Sequence, residues 1–268
     1  MLNDKITCLI FSCDSFSDLW DGNVKLFNEN WPDRDFETFI VTDRHTDRVF
    51  DRVKVICAGA DVEWSERLKV ALEYVKTPYV FITLDDYFLI KPVNTQMISN
   101  YIELMSISNY DYLRLFKDPI RSAKEEIVGH RGIYRIDNHY EYSVNLYQGI
   151  WRLEFLKFCI SEPQNAWHFE VGLRNSAISY NAKCIVSLND DYEVLDVVRK
   201  GKLLRNASRY FRTHQGLYYG NRATNSWWYE FSLGIKDWGQ RHTPEFLLPF
   251  MRRILSLLGF KFYSTKTR

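Results

Sequence analysis

The chain has 268 residues, of which 46% are apolar and 26% are charged, and this globular composition excludes a disordered protein. The net charge is +1, but residues 1–198 carry 21 basic and 31 acidic side chains, whereas residues 199–268 carry 14 and 3. We therefore expect an acidic domain over 1–198 and a basic C-terminal extension over 199–268, the latter suited to an anionic partner. An acidic domain repels phosphates, so nucleic acid is not the expected partner.

The cysteines and the apolar runs predict the compartment. There are five cysteines and no Cys-x-x-Cys pair, so neither a disulfide framework nor a zinc site is expected. The first apolar run, residues 6–11, is shorter than the core of a signal peptide, and no run of about 20 apolar residues predicts a membrane span. A cytoplasmic protein, or one peripheral on the inner face of the membrane, is the expectation.

The first 90 residues alternate short apolar runs with helical or polar segments. The run at 79–84 is almost continuously apolar, which is typical of a central parallel strand covered on both faces. Strands separated by helices predict an α/β fold with a doubly wound, mostly parallel sheet flanked by helices. Predicted strands cover residues 5–12, 36–42, 52–57 and 79–84, and predicted helices cover 24–30 and 64–75.

Beyond residue 110 the periodicity weakens. Residues 133–136 and 140–146 suggest a hairpin, and residues 151–160 suggest a helix. Residues 199–240 have no clear period.

Acidic residues follow three of the predicted strands. Asp14 comes after the first, Asp43 after the second, and the pair Asp85-Asp86 directly after the apolar run. Ligands of open α/β sheets bind beyond the carboxyl ends of the strands. Because two adjacent carboxylates repel, the pair favours a shared cation such as Mg²⁺ or Mn²⁺, completed by substrate phosphates. The alternative interpretation is a solvated turn.

The order of these motifs resembles the bacterial GT-A glycosyltransferases of surface-polysaccharide assembly, which build capsule and O-antigen. The likeness covers about residues 5–175. It rests on Ser12-Cys13-Asp14, Trp31-Pro32-Asp33, the Trp-Ser-Glu-Arg-Leu run from residue 64, and Leu84-Asp85-Asp86-Tyr87. The resemblance implies a GT-A-like (Rossmann-like) fold, a nucleotide-diphosphate sugar as donor, and Mn²⁺ or Mg²⁺ on an acidic motif. The family's motif is Asp-x-Asp, whereas this chain has Leu84 at the earlier position.

The same resemblance implies roles for residues on the donor side. Arg67, on the helix before the acidic strand, would pair with Asp85 or reach a phosphate, since its planar fork suits both; the alternative is an exposed helix charge. The implied donor-binding residues are Ser12, Asp14, Asp43, Arg67, Asp85 and Lys202, and the implied metal ligands are Asp86 and His214.

A second cluster lies further along the chain. An inverting transfer needs a base to take the proton of the attacking hydroxyl, and Glu170 is the predicted base, with Asp190-Asp191 as its rival. The predicted acceptor-binding residues are Trp151, Trp167 and His168. The alternative is that the tryptophans pack in the core and that Glu170 merely begins a helix.

The C-terminal segment 244–262 is apolar and basic. It would lie on an anionic inner leaflet, which suits a lipid-linked saccharide acceptor, or pack on the domain as a helix.

Two other function classes stay open. A sugar-phosphate nucleotidyltransferase shares a similar core but needs a glycine-rich phosphate loop after the first strand, and residues 12–16 contain no glycine. A non-catalytic carbohydrate-binding or membrane-binding protein is the other alternative.

Overall fold

The computed structural model describes residues 1–242 of the chain. Its strands are β1 (Ile6–Phe11), β2 (Thr38–Thr42), β3 (Lys54–Cys57), β4 (Tyr79–Leu84), β5 (Tyr87–Leu89), β6 (Tyr112–Arg114), β7 (Ala123–Glu126), β8 (Ile133–Ile136), β9 (Gly149–Arg152), β10 (Cys184–Ser187), β11 (Val194–Asp196), β12 (Val198–Arg199) and β13 (Lys202–Leu203). Its α-helices are α1 (Trp20–Asn30), α2 (Trp64–Glu73), α3 (Thr95–Ile107), α4 (Leu153–Cys159), α5 (Ala166–Tyr180), α6 (Arg205–Thr213) and α7 (Trp227–His242).

Nine strands form one sheet in the order β3-β2-β1-β4-β9-β6-β10-β8-β7. β1 pairs in parallel with β2 and β4, and β2 pairs in parallel with β3. β9 runs antiparallel between β4 and β6, β10 pairs in parallel with β6, and β8 and β7 add two antiparallel pairings. All strands except β9 and β8 therefore point the same way, which confirms the predicted α/β fold with a mostly parallel sheet.

Helices cover both faces of this sheet, which explains the continuous apolar strands. Alternate residues of β4 enter opposite cores: Phe81 packs with α1 and α3, whereas Val80 and Ile82 pack with α2, α4 and α5. Each buried side chain of this size contributes about 1.5–3 kcal/mol. The carboxyl ends of β1, β2 and β4 consequently lie side by side at one rigid edge.

One predicted element in the second half was wrong, and a predicted helix begins later than expected. β8 forms its hairpin with β7, and residues 140–146 form a loop, in which Tyr142 has a φ of 58° and Asn145 Nδ2 donates to Tyr142 O at 3.1 Å. The predicted helix at 151–160 begins only at Leu153, because β4 and β6 pair with both sides of Trp151.

The described part of the extension packs on the body. Leu203, Ala207 and Leu217 share a buried cluster with residues of α1 and β5. Gly22 in α1 permits this approach, since a β-carbon there would lie 1.8 Å from the Leu217 carbonyl oxygen. Within residues 1–242 no helix is long and apolar enough to cross a membrane. The predicted apolar tail at 244–262 lies outside the described residues.

Candidate active site

The acidic pair lies in the short connection between β4 and β5. The Ser12 hydroxyl donates to Asp85 Oδ2, and Trp20 Nε1 donates to Ser12 Oγ at 2.5 Å. Asn23 Nδ2 donates to the Asp85 carbonyl at 3.1 Å. Burial raises the pKa of Asp85 well above its usual range, the charge of Asp86 raises it further, and the Ser12 hydroxyl opposes both. The buried Asp85 therefore anchors the connection between β4 and β5 through these hydrogen bonds.

Asp86 lies beside an aspartate from a distant part of the chain. β11 pairs with β5 and sets Asp196 opposite Tyr87, while the Val197 N–H donates to the Asp86 carbonyl at 2.8 Å. Burial raises the pKa of Asp86 to about 7, and Asp196 adds to the rise while Arg199 opposes it. The pKa of Asp196 is also raised by burial. The charge of Asp196 therefore disfavours the ionised form of Asp86.

One oxygen of each carboxylate lacks a hydrogen-bond donor. Nε and Nη2 of Arg199 both contact Oδ2 of Asp196 at 2.8 Å, which leaves Asp196 Oδ1 buried and unbonded. Asp86 Oδ1 is buried and unbonded as well. Buried carboxylate oxygens without donors are unfavourable, and hard divalent cations take such oxygens as ligands. Asp86 and Asp196 are therefore candidate ligands for a divalent cation.

The donor set at this position is small. Among the residues that the structure describes, no group of three or more His, Cys, Asp or Glu side chains is placed to hold a metal. Mg²⁺ is commonly bound by one or two carboxylates together with substrate phosphates.

A tight turn places cations at the rim of the site. Lys200 and Gly201 have φ values of 53° and 72°, which is a two-residue hairpin turn that favours glycine in its second position. The turn returns Lys202 opposite Arg199 in the β12·β13 pair, and Lys202 is exposed.

Glu170 faces the same region from helix α5. The helix is capped by Asn165, whose Oδ1 accepts from the His168 N–H at 3.0 Å. Glu170 Oε1 accepts from the Leu146 N–H at 3.2 Å. Burial raises the pKa of Glu170, opposed by the Leu146 N–H and the charge of Arg199. Electrostatic contact with Arg199 links this carboxylate to the aspartate pair.

Aromatic rings lie between Glu170 and the aspartates. The ring centroid of Tyr147 is 5.6 Å from that of Tyr87, and Tyr147 stacks on Phe116 at 4.3 Å. Burial raises the pKa of Tyr147 to about 12, and the charge of Glu170 adds to this. The three rings therefore form one aromatic cluster beside the acidic residues.

Four of the predicted donor-side residues meet at the ends of β1 and β2. The Asp14 N–H donates to Asp43 Oδ1 at 2.7 Å, and Arg67 Nη1 donates to the Ser12 carbonyl at 2.8 Å. Burial alone would raise the pKa of Asp43, but the Asp14 N–H and the Arg67 charge lower it below its usual value. Arg67 therefore braces the strand end through the Ser12 backbone, and Asp43 carries a charge beside it.

An ion pair that the sequence analysis missed closes this end of the site. Arg222 Nε and Nη2 contact the two Asp18 carboxylate oxygens at 2.7 Å each, and Nη2 also donates to the Ser15 carbonyl at 2.6 Å. The Tyr218 hydroxyl donates to Asp18 Oδ2 at 3.0 Å. Burial would raise the pKa of Asp18, but Arg222 lowers it. Arg222 also lowers the pKa of Asp85. Because the partners are 204 positions apart in the chain, no local motif signals this pair.

Two residues that were predicted to bind the acceptor or the metal do not lie at the acidic pair. Trp151 is fully buried between Tyr112 and Phe155, with ring centroids 4.4 and 5.8 Å away, so its predicted contact with an acceptor was wrong. His214 ends α6, where its ring stacks on Tyr210 at 4.0 Å. The described residues do not group His214 with Asp86 as metal ligands.

The remaining acceptor-side predictions lie on or near α5. Trp167 is 65% exposed, and His168 lines a cavity of about 450 Å³ together with Gln164 and Val171. Their acceptor roles stay predictions. The rival pair is engaged elsewhere: Asp190 contacts Lys117, and Asp191 accepts from Tyr101 and Ser187.

No protein-family model and no curated protein matches the chain, but solved structures do. A mannosyltransferase, PcManGT from Pyrobaculum calidifontis, in complex with GDP-Man and Mn²⁺, is similar at a TM-score of 0.50 and 12% identity, over 74% of this chain and 59% of that chain. S. aureus TarS 1-349 in complex with UDP-GlcNAc is similar at 0.48 and 15% identity, over 74% and 60%. A UDP-glucose pyrophosphorylase complexed with UDP-glucose gives 0.43 and 10%, over 71% and 91%.

The structural similarity to the mannosyltransferase shows a shared fold. The architecture is that of GT-A-like nucleotide-binding proteins, as the resemblance in the sequence predicted. The chain spans about three fifths of the length of the mannosyltransferase and of TarS 1-349.

Proposed function

We propose that the protein is a glycosyltransferase that moves a sugar from a nucleotide-diphosphate donor to a hydroxyl group of a saccharide. The observation that carries this proposal is the pair Asp86 and Asp196, which present one unbonded buried oxygen each at the carboxyl end of β4. A protein of the same fold is described in complex with GDP-Man and Mn²⁺, which supports the same two ligand classes here.

In this proposal, Asp86 and Asp196 hold Mn²⁺ or Mg²⁺. When bound, the cation supplies positive charge that stabilises the departing nucleoside diphosphate. Arg199 is fixed by its two contacts to Asp196, and Lys202 stands opposite it on the hairpin. The positively charged side chains of Arg199 and Lys202 would offset the phosphate charge. Charged groups that are already in place stabilise developing charge most effectively.

The nucleoside would lie against the ends of β1 and β2. Asp14 and Asp43 are joined there by a hydrogen bond of 2.7 Å, and the ionised Asp43 would accept from a ribose hydroxyl or a base N–H. Ser12 and Arg67 would support this wall through the strand backbone, since Arg67 donates to the Ser12 carbonyl at 2.8 Å.

Glu170 is the proposed base of an inverting transfer. The acceptor oxygen would bond to the anomeric carbon as the bond from that carbon to the phosphate oxygen breaks, and Glu170 would take the hydroxyl proton. A raised pKa improves a carboxylate as a base. We expect Glu170→Gln to lower kcat by about 10²–10⁴-fold while donor affinity stays unchanged. Glu162→Gln, an exposed carboxylate before the same helix, is the matched control and should keep full activity.

The acceptor would approach along α5. His168, which lines the cavity of about 450 Å³, and the exposed Trp167 are proposed to contact a saccharide. The proposed acceptor is a lipid-linked saccharide of surface-polysaccharide assembly. Transfer to a soluble saccharide would already establish the reaction class.

The experiment that tests the function is a donor screen. UDP-, GDP-, dTDP- and CMP-sugars are incubated with Mn²⁺ and saccharide acceptors, and the released nucleotide is identified. Release of a nucleoside diphosphate coupled to sugar transfer, lost in Asp86→Asn, is the expected result, whereas transfer only from a CMP-sugar, with release of CMP, would contradict a nucleotide-diphosphate donor. Release of pyrophosphate from a nucleoside triphosphate and a sugar phosphate would instead identify a nucleotidyltransferase and overturn the proposal.

A further inference from the structure

Helix α7 presents large apolar side chains to the exterior. Trp228 is 72% exposed, Trp227 52%, Phe231 48% and Ile235 44%. Trp227 stacks on Phe231 with ring centroids 5.0 Å apart, and Trp228 meets the same ring edge-on at 6.3 Å. These four residues form a continuous surface that we call the aromatic ridge. Exposed apolar patches of this kind mark interaction sites.

The neighbouring helix α6 carries a row of arginines. Arg205, Arg209 and Arg212 lie at helical spacing on α6, and all three are exposed; we call them the basic stripe. Helices α6 and α7 are tied together where they begin, because the Arg205 N–H donates to Glu230 Oε1 at 2.7 Å. Residues 199–235 contain seven Lys and Arg residues and one Glu. The apolar ridge therefore lies in a strongly cationic region.

We propose that the aromatic ridge and the basic stripe form a docking surface for an anionic lipid bilayer. Tryptophan prefers the headgroup level of a membrane, where its ring is buried and its N–H stays hydrated. Basic side chains beside such a surface are attracted to anionic headgroups. The acidic region 1–198 would be repelled from the same membrane, which fixes the orientation of the protein.

A second copy of the chain fits this surface less well. A two-fold contact places the same patch on both sides of the interface, so arginines of one stripe would approach those of the other. A bilayer offers charge complementarity instead. This docking would place the Asp196–Lys202 region near the membrane, and it stands independently of the proposed transfer reaction.

Vesicle sedimentation of the full chain tests the proposal. Vesicles of phosphatidylcholine alone are compared with vesicles containing 30% phosphatidylglycerol. The wild type should bind the anionic vesicles and lose affinity as salt is added. The triple variant Arg205→Gln, Arg209→Gln, Arg212→Gln should bind about 100-fold more weakly, at about fivefold for each basic side chain. Trp228→Ala should weaken binding by about tenfold.

Matched controls separate the surface from net charge. Lys5→Gln, Lys69→Gln and Arg131→Gln together remove the same charge from exposed positions of the body, and Trp167→Ala removes an exposed tryptophan from α5. Both controls should bind like the wild type, and all variants should melt like it, since only exposed side chains change.

Four results would overturn the proposal. In the first, the wild type does not bind anionic vesicles. In the second, the control substitutions weaken vesicle binding as much as the ridge and stripe substitutions do. In the third, the ridge and stripe substitutions leave vesicle binding unchanged. The fourth is concentration-dependent self-association that Trp228→Ala abolishes without any vesicle binding, which would identify a protein interface.

Discussion

Neutralising Asp86 should stabilise the protein while removing one of the two proposed metal ligands. In Asp86→Asn the amide keeps the shape of the side chain and carries no charge beside Asp85 and Asp196. Burial and Asp196 raise the pKa of the native carboxylate to about 7, so the folded chain disfavours the ionised form. The free energy of unfolding of the wild type should therefore fall as pH rises from about 4 to about 7, and the variant should lack this loss.

The magnitude follows from the pKa difference. The pKa of Asp86 rises from the ordinary value of 3.8 to about 7. Each tenfold change in proton affinity corresponds to about 1.36 kcal/mol, so the ionised carboxylate destabilises the fold by at most about 4 kcal/mol. The advantage of Asp86→Asn should be near zero at pH 4 and largest at pH 8. In a domain of this size that corresponds to an increase in Tm of up to about 8–16 °C.

Thermal unfolding in EDTA at pH 4, 6 and 8 measures this. Asp190→Asn is the matched control, because Asp190 is an exposed carboxylate that contacts Lys117 at 2.6 Å; its neutralisation should not stabilise the fold at any of these pH values. Two results would contradict this prediction. In one, Asp86→Asn is less stable than the wild type at pH 8. In the other, the gain in Tm over the wild type is the same at pH 4 and at pH 8.

Three further substitutions test the packing around the site. Trp151→Ala should lower the free energy of unfolding by about 3–5 kcal/mol in chemical denaturation, and an unchanged stability would contradict its place in the core. Arg222→Lys loses the two-point contact to Asp18, so it should lower Tm and weaken nucleotide binding by calorimetry; full retention of both would show that this pair does not support the site. Gly22→Ala should lower Tm by several degrees, because its β-carbon would meet the Leu217 carbonyl at 1.8 Å, and a variant as stable as the wild type would contradict this close approach.

The sequence predicted the first half of the fold well because its signals are local. β4 is apolar at almost every position and is covered on both faces, and Trp64, Leu68 and Ala71 follow helical spacing on the buried side of α2. The second half was harder, because β9 is a four-residue strand whose direction depends on β4 and β6. Nothing near Trp151 in the sequence reveals those neighbours.

The candidate site divides in the same way. Residues that directly follow strands could be predicted, since parallel strands bring their carboxyl ends together, as for Asp43 and Asp86. Asp196 and Arg222 could not, because each meets its partner only after more than 100 intervening residues. In the proposed site, the pairing of two short strands brings Asp196 to the acidic pair. A search for Asp-x-Asp within one segment of the sequence would miss this arrangement.

Calorimetric titration with nucleoside diphosphates tests the central claim most directly. UDP and GDP are titrated into the wild type, Asp86→Asn and Asp196→Asn, each with Mn²⁺ and with EDTA. We expect one nucleotide to bind the wild type tightly with Mn²⁺ and weakly with EDTA. Either substitution should remove this difference in affinity between Mn²⁺ and EDTA. Binding of equal strength with and without Mn²⁺, or full metal dependence in Asp196→Asn, would contradict a cation held between these two carboxylates.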